Sequence, residues 1–186
     1  MAQRKRLVSK NILMIIASKN FRDEEYFIPF QFFQKEGAKI ITASSIEGDI
    51  MGVHGGEAVS NLTLQKIEME NFDAVVFVGG GGASEFFENG DAHRIISDTI
   101  KLYKVLAAIC IAPVILAKAG VLDGKNATVW SSALDKNGKK ELEKAGCSVL
   151  DKNVVVDGNI ITANGPAVAE EFAKEITEAI FMRSVS

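Results

Sequence analysis

The chain has 186 residues, of which 47% are hydrophobic and 24% are charged, and its formal net charge at pH 7 is −3. This composition is ordinary for a globular protein with a substantial core, and the lack of a basic excess argues against nucleic acid as a partner. No apolar stretch has the length of a membrane span, so we expect no membrane insertion and a cytoplasmic location. The two cysteines, Cys110 and Cys147, form no CxxC or Cys/His spacing, and we therefore expect no disulfide framework, no metal and no cofactor.

Four cations lie close together at the start of the chain, namely Arg4, Lys5, Arg6 and Lys10. We interpret residues 1–10 as a solvated basic tail. The rest of the sequence shows no repeat, no low-complexity linker and no shift in composition. Residues 11–186 are therefore predicted to form a single domain.

Apolar segments of strand length alternate with segments of helical periodicity, which is typical of an α/β domain with a largely parallel sheet. The predicted strands are residues 12–17, 38–43, 72–78, 105–109 and 127–130, with a small hairpin within 48–59 and a second hairpin (154–156 and 160–162) around Asp157-Gly158-Asn159. The predicted helices are residues 24–36, 91–103, 114–119, 136–145 and 167–182. In the first helix, we expect Phe27, Phe30 and Phe33 to face the core.

The segment around Cys110 is the most informative for function. An apolar strand, residues 105–109, ends at this cysteine, and Pro113 opens a short helix three residues later. Ala108 and Ala112 supply the small side chains that a sharp turn between strand and helix requires. We interpret this arrangement as a nucleophile elbow, in which the following helix lowers the pKa of the thiol. The alternative is a buried structural cysteine, which the small-Cys-small-Pro context disfavours.

Four consecutive glycines, residues 79–82, follow the strand 72–78. They match neither a dinucleotide fingerprint nor a phosphate loop. Glycine-rich backbone instead exposes N–H groups that can approach a developing negative charge closely. We predict an oxyanion hole made by the backbone of Gly80 or Gly81 together with that of Ile111, against the alternative of a flexible turn.

Two carboxylates and two histidines are candidates for acid–base chemistry. Glu24 and Glu25 open a helix, where acidic residues are also favourable for purely structural reasons. If one of them contacts the thiol of Cys110, its pKa must be raised, since a charged carboxylate would repel a thiolate. His54 lies in a glycine-rich hairpin and could approach the site, whereas His93 is expected at the surface.

Several motifs together resemble the ThiJ/PfpI superfamily over nearly the whole chain. The elbow is similar to the A-I-C-x-G/A-P motif of the family. The other matching segments are Phe21-Arg22-Asp23-Glu24-Glu25 with Pro29, Phe72-Asp73-Ala74-Val75-Val76 before Gly79-Gly80, Gly52-Val53-His54-Gly55, and Val155-Val156-Asp157-Gly158-Asn159. The resemblance implies a flavodoxin-like three-layer sandwich. It also implies that Glu25, and not Glu24, contacts the nucleophile Cys110.

The chain also departs from the patterns of that superfamily. Ile111 stands where the PfpI-type proteases have a histidine, and Trp130 and Asn164 stand where a histidine and an arginine are usual. Glu85 lies near the position of an acid that PfpI-type oligomers donate to a neighbouring subunit. The resemblance implies a homo-oligomer, to which Phe86 or Phe87 could contribute if either is exposed and not part of the core.

Three functions follow from these residues. The first is a cysteine-dependent hydrolase or lyase that acts on reactive carbonyls, such as methylglyoxal, or on their protein adducts, with Glu25 as the proton shuttle. The second is a redox-sensing or chaperone-like stress protein whose Cys110 is oxidised. The third is an intracellular cysteine peptidase, disfavoured by the missing histidine. A vestigial site with no activity is the remaining alternative.

Overall fold

The structure is a computed structural model that describes residues 5–184. Its strands are β1 (Asn11–Ile15), β2 (Lys39–Ser44), β3 (Gly48–Met51), β4 (Glu57–Ser60), β5 (Leu62–Thr63), β6 (Ala74–Phe77), β7 (Val105–Ile109), β8 (Asn126–Ala127), β9 (Ser148–Val149), β10 (Val154–Asp157) and β11 (Ile160–Ala163). Its α-helices are α1 (Asp23–Lys35), α2 (Gly90–Lys101), α3 (Pro113–Lys118), α4 (Asn137–Lys144) and α5 (Ala169–Ser184). Short 3-10 helices comprise Leu64–Lys66, Met69–Asn71, Gly81–Phe86 and Pro166–Val168.

Seven strands form the central sheet, in the order β10-β11-β7-β6-β1-β2-β5. All neighbouring pairs are parallel except β10 and β11, which form the antiparallel hairpin predicted around Asp157-Gly158-Asn159. Buried side chains alternate between the two faces of the sheet, so that Ile12 and Met14 pack with α1 and α5, while Leu13 and Ile15 pack with α2 and α3. The protein is therefore an α/β three-layer sandwich of the flavodoxin-like type, as the sequence predicts.

The order of the strands positions the candidate site. The chain leaves β1 toward β2 on one side and returns to β6 on the other, so the direction of winding reverses between β1 and β6. Ligands in open α/β sheets bind beyond the carboxyl ends of the strands at such a reversal. The loops that follow β1, β6 and β7 meet at this edge.

Two local predictions need correction. Residues 127–130 do not form a strand of the central sheet. Only Asn126–Ala127 is extended, and it pairs with β9 in a separate two-stranded sheet. In α1, Phe33 is buried as expected, but Phe27 and Phe30 are only half-buried, because Tyr26 and Pro29 occupy the core-facing positions one residue earlier.

The predicted solvated tail is also wrong where the structure describes it. Leu7 has no exposed surface and packs in the same core as α1 and α5. The backbone N–H of Arg6 donates to Glu36, its guanidinium lies 2.8 Å from Glu178, and Lys10 pairs with Asp73 at 3.1 Å. Arg4 lies outside the described residues. The prediction of one domain over residues 11–186 stays a prediction.

The hairpin of β3 and β4 lies apart from the central sheet, as the glycine-rich segment 48–59 predicts. It is attached to the loop after β1 by a bridge between Phe21 and Gly52 and by the hydrogen bond from Asn20 N to Met51 O, 3.0 Å long. The hairpin therefore forms one wall of the carboxyl edge of the sheet. Separately, no helix within residues 5–184 combines the length and the apolar character needed to cross a membrane.

Candidate active site

Cys110 occupies a sharp, strained turn between β7 and α3. Its φ is +64°, a left-handed conformation that a residue with a side chain adopts only when its surroundings enforce it. Two hydrogen bonds hold its backbone: Cys110 N donates to Ala163 O at 2.9 Å, and Cys110 O accepts from Trp130 N at 2.8 Å. The turn leaves the side chain half-buried at the carboxyl edge of the sheet. The elbow predicted from the sequence is therefore present.

Glu25 is the carboxylate that reaches the thiol. It lies in the first turn of α1 and has no exposed surface. Its Oε2 accepts the N–H of Gly79 at 3.1 Å, whereas Oε1 is buried and no described residue gives it a well-formed hydrogen bond. The thiol of Cys110 lies close enough to the carboxyl group for each to shift the pKa of the other. Glu24, in contrast, points outward and pairs with Arg22.

The backbone of the glycine run lies so close to Glu25 and Cys110 that side chains on Gly79 or Gly80 would not fit. A Cβ placed on Gly79 would lie 2.5 Å from Glu25 Oε2 and 2.7 Å from the Cβ of Cys110. Gly80 has φ +98°, and a Cβ on it would lie 2.5 Å from Arg22 N. The run is therefore not a flexible turn, because it packs tightly between the loop after β1 and the elbow.

Burial has the largest effect on the pKa values of Glu25 and Cys110. It raises the pKa of Glu25 to about 7, although the Cys110 thiol, the charge of Arg22 and the N–H of Gly79 all act to lower it. This agrees with the raised pKa expected for a carboxyl group beside the nucleophile. Burial and, after it, the Glu25 carboxylate raise the pKa of Cys110 to about 12, although the backbone N–H groups of Gly80 and Ile111 act to lower it.

The thiol pKa therefore moves in the direction opposite to that predicted from the elbow. The prediction relied on the dipole of the following helix, but α3 has only six residues and its field is correspondingly small. Loss of solvent and a neighbouring carboxylate outweigh it. Of the two groups, Glu25 therefore loses its proton near neutral pH, and the thiol of Cys110 keeps its proton when Glu25 is ionised.

A cavity of about 500 Å³ opens beside Cys110. Twelve residues line it: Arg22, Glu25, Val53, Gly80, Gly81, Ser84, Phe87, Cys110, Ile111, Trp130, Asp135 and Pro166. The cavity therefore brings together the predicted residues Cys110, Glu25, Gly80 and Ile111. It has the size of a site for a small organic molecule.

Gly81 also lines this cavity, whereas the predicted candidates His54, His93 and Glu85 do not. The Nε2 atom of His54 is 4.0 Å from Glu24, and the imidazole is more than half exposed. Its backbone N–H and that of Gly56 donate to Asp23 at 2.8 and 2.6 Å. Burial raises the pKa of Asp23, but these two N–H donors, the N–H of Asp23 itself and the charge of His54 together hold the pKa below its ordinary value. His54 thus takes part in attaching the β3–β4 hairpin to α1 through its backbone.

Glu85 is occupied within its own chain. Its carboxylate accepts from Ser18 N at 3.0 Å, from Ser18 Oγ at 2.7 Å and from Ser45 Oγ at 3.0 Å. It therefore connects the 3-10 helix after β6 to the loops after β1 and β2. His93, expected at the surface, is half-buried, and its Nε2 lies 2.8 Å from Phe87 O.

Sequence reasoning did not assign Arg22, Phe87 or Asp135 to the site. The guanidinium of Arg22 binds Glu24 through Nε at 2.8 Å and Nη2 at 3.2 Å while it also lines the cavity. Phe86 is fully buried, and its neighbour Phe87 faces the cavity. The position of Arg22 within the motif that contains Glu25 was a usable signal, but nothing local indicated where Phe87 would point.

Within residues 5–184, no three His, Cys, Asp or Glu side chains are grouped so as to hold an ion. The chemistry available to the cavity is that of a thiol, a carboxyl group with a pKa near neutrality and backbone N–H donors.

Comparison with known proteins gives a consistent picture. A sequence model of the DJ-1/PfpI family matches residues 10–179. An uncharacterized protein of Methanocaldococcus jannaschii is 37% identical over 96% of this chain and 86% of its own length. A deglycase of Pyrococcus horikoshii is 31% identical over 90% of this chain and 98% of its own length. Among solved structures, a ThiJ/PfpI domain protein from Brachyspira murdochii superposes with a TM-score of 0.88 at 32% identity, covering 95% of this chain and 98% of that one.

Proposed function

The chain belongs to the DJ-1/PfpI family, and from this premise we propose that it is a cysteine-dependent enzyme that converts reactive carbonyl compounds or removes their adducts from amines and thiols. Relatives at about 30% identity carry the name deglycase, which supports enzymatic activity of this class. The proposal that Cys110 is the nucleophile rests on the contact between its thiol and the buried carboxyl group of Glu25.

In the proposed reaction, Glu25 acts first as a general base. The pKa of the thiol is about 12, so the fraction of free thiolate at neutral pH is very small. The pKa of Glu25 is about 7, so much of the enzyme carries a carboxylate beside the thiol. As Sγ forms a bond to the aldehyde carbon of a 2-oxoaldehyde, the thiol proton passes to Glu25.

The oxygen of the aldehyde becomes negative as the C–S bond forms. The N–H groups of Gly80 and Ile111 are directed at Sγ and are close enough to it to lower the pKa of the thiol. We infer that they also stabilise the adjacent oxyanion, in the manner of an oxyanion hole. The proton held by Glu25 then neutralises this oxygen, and a hemithioacetal results.

The second half of the reaction is an internal redox step followed by hydrolysis. Glu25, again a carboxylate, removes the proton from the former aldehyde carbon and delivers it to the neighbouring ketone carbon, while the hydroxyl proton of the hemithioacetal passes to the ketone oxygen. The first carbon is thereby oxidised by two electrons to a thioester, and the second is reduced by two electrons to an alcohol. Water then cleaves the C–S bond, which releases a 2-hydroxy acid and restores the thiol.

Formation of lactate from methylglyoxal tests this proposal. Wild type is compared with Cys110→Ser, with Glu25→Gln and with the matched control Cys147→Ser, whose sulfur is buried away from the cavity. We expect Cys147→Ser to retain turnover and the other two variants to lose it. Absence of turnover in wild type, on free methylglyoxal and on its adduct with N-acetylcysteine, would contradict the proposal.

The redox-sensor and peptidase alternatives receive less support. A redox sensor needs an accessible thiolate, whereas burial and Glu25 keep the Cys110 thiol protonated. A cysteine peptidase needs a histidine beside the nucleophile, whereas Ile111 follows Cys110 and the imidazole of His54 is directed toward Glu24 outside the cavity. The cytoplasmic location and the homo-oligomeric state stay predictions.

A further inference from the structure

The wall of the cavity beside Cys110 is mainly apolar. Its apolar side chains come from five separate parts of the chain, namely Val53, Phe87, Ile111, Trp130 and Pro166. Trp130 keeps 37% of its surface exposed and Val53 keeps 48%. Side chains of this type usually lose most of their exposure on folding, and apolar surface gathered in a concave site commonly binds a ligand.

Two charged side chains of the cavity, those of Arg22 and Glu25, already have partners within the chain. Arg22 is held by Glu24 through two hydrogen bonds, and Asp135 Oδ1 accepts the N–H of Asn137 at 2.9 Å. Glu25 is engaged with Gly79 and the thiol. The positive charge of Arg22 is therefore already paired with Glu24, and the remaining negative charge of Asp135 does not favour an anionic substrate.

The polar groups of the cavity lie at its reacting end. Glu25 has no exposed surface, and its carboxyl group lies beside the thiol of Cys110. The backbone N–H groups of Gly80 and Ile111 also lie at this end. The cavity thus combines one polar position next to Cys110 with an apolar wall opposite.

We propose that the preferred substrate is a 2-oxoaldehyde with an aromatic or large aliphatic group on its ketone carbon, such as phenylglyoxal, in preference to glyoxal or methylglyoxal. This inference rests on the proposed function and adds the class of side chain that the substrate carries. The aldehyde carbon lies at Sγ, and the apolar group packs against Phe87, Ile111 and Trp130. The bonds made and broken are those given above, and with phenylglyoxal the product is mandelate.

The first test compares kcat/KM for glyoxal, methylglyoxal and phenylglyoxal. For wild type we expect phenylglyoxal to exceed glyoxal by at least about tenfold, since each added apolar group in a fitting pocket is worth roughly that factor. In Trp130→Ala and Phe87→Ala, the ratio of phenylglyoxal to glyoxal should fall toward one. Val59→Ala, which removes an exposed apolar side chain outside the cavity, should leave the ratio unchanged. Intact mass after each assay checks that phenylglyoxal has not modified arginine.

The second test does not depend on turnover. Trp130 is the single tryptophan of the chain, so its fluorescence reports on the cavity. Acetophenone, which shares the phenyl ketone but has no aldehyde, should quench this fluorescence saturably in Cys110→Ser, and Phe87→Ala should weaken the effect at least about tenfold.

The outcomes separate the two proposals. Turnover of all three aldehydes without preference for phenylglyoxal would overturn the inference and leave the proposed function intact. No turnover of any aldehyde would overturn the proposed function and the substrate preference with it, and the fluorescence titration then shows only whether the cavity binds an apolar group. Saturable quenching supports recognition of an apolar group in the cavity, and its absence overturns it.

Discussion

The carboxyl group of Glu25 and the backbone of Gly79 are in direct contact beneath the nucleophile. Glu25 Oε2 accepts the N–H of Gly79 at 3.1 Å, and a Cβ on Gly79 would come within 2.5 Å of the same oxygen. Glycine is therefore required for the approach of the two backbone segments. The contact also orients a buried carboxyl group that few other donors reach.

Substitution of Gly79 should consequently damage both stability and activity. We expect Gly79→Ala to lower the free energy of unfolding by about 1–3 kcal/mol, because an added methyl group overpacks the site, and to abolish turnover by displacing Glu25. Gly81→Ala is the matched control, since a Cβ there meets no atom within 4 Å, and its free energy of unfolding should stay within about 0.5 kcal/mol of wild type. Denaturant unfolding of both variants measures this. Equal destabilisation by the two substitutions would contradict the prediction.

The pH dependence of kcat/KM should follow the ionisation of Glu25. The pKa of this carboxyl group is about 7, and its charged form is the base that accepts the thiol proton. Activity should therefore rise with pH through about 7 and level off above it, because the pKa of the thiol, about 12, lies beyond the measured range. A pH–rate profile between pH 5 and 9 tests this. A profile that falls over this interval would show that the protonated form is the active one.

Stability should also depend on pH through Glu25. Its pKa is raised from 4.5 to about 7 on folding, so the folded state binds the proton more tightly than the unfolded state. The stability that this provides is complete below about pH 4.5 and is lost as pH rises through about 7. Between pH 4.5 and 8, Glu25→Gln should therefore gain on the order of 3 kcal/mol relative to wild type. Chemical denaturation at both pH values measures the difference, and the exposed Glu175→Gln should show none.

Arg22 and Glu24 should tune the pKa of Glu25 in opposite directions. The charge of Arg22 lowers this pKa, whereas that of Glu24 raises it. Arg22→Met should therefore move the rise in kcat/KM to higher pH, and Glu24→Gln should move it to lower pH. Arg22→Lys, which keeps the charge, should restore the position of the rise even if it binds substrate less well. Identical profiles for Arg22→Met and wild type would show that Arg22 has no electrostatic effect on Glu25.

Much of the fold follows from local patterns in the sequence. The alternation of apolar strands with amphipathic helices predicts the parallel sheet, because each element must bury one face against the other type. Where elements are short, prediction failed: of residues 127–130, only Ala127 belongs to a strand, the two-residue β8, which lies outside the central sheet. A short apolar segment does not specify its partner, which only the rest of the chain provides.

The sequence by itself determined the elbow at Cys110, because small residues at 108 and 112 and a proline at 113 act over a few bonds. It also placed Glu25 at the start of a helix that follows a strand. The resemblance to the superfamily singled out Glu25 over Glu24, but only the tertiary structure decided where Phe87 and Arg22 point and in which direction the thiol pKa moves. The physical reason is that loss of solvent depends on how distant segments pack around a group, and around Cys110 this loss outweighs the field of its own short helix.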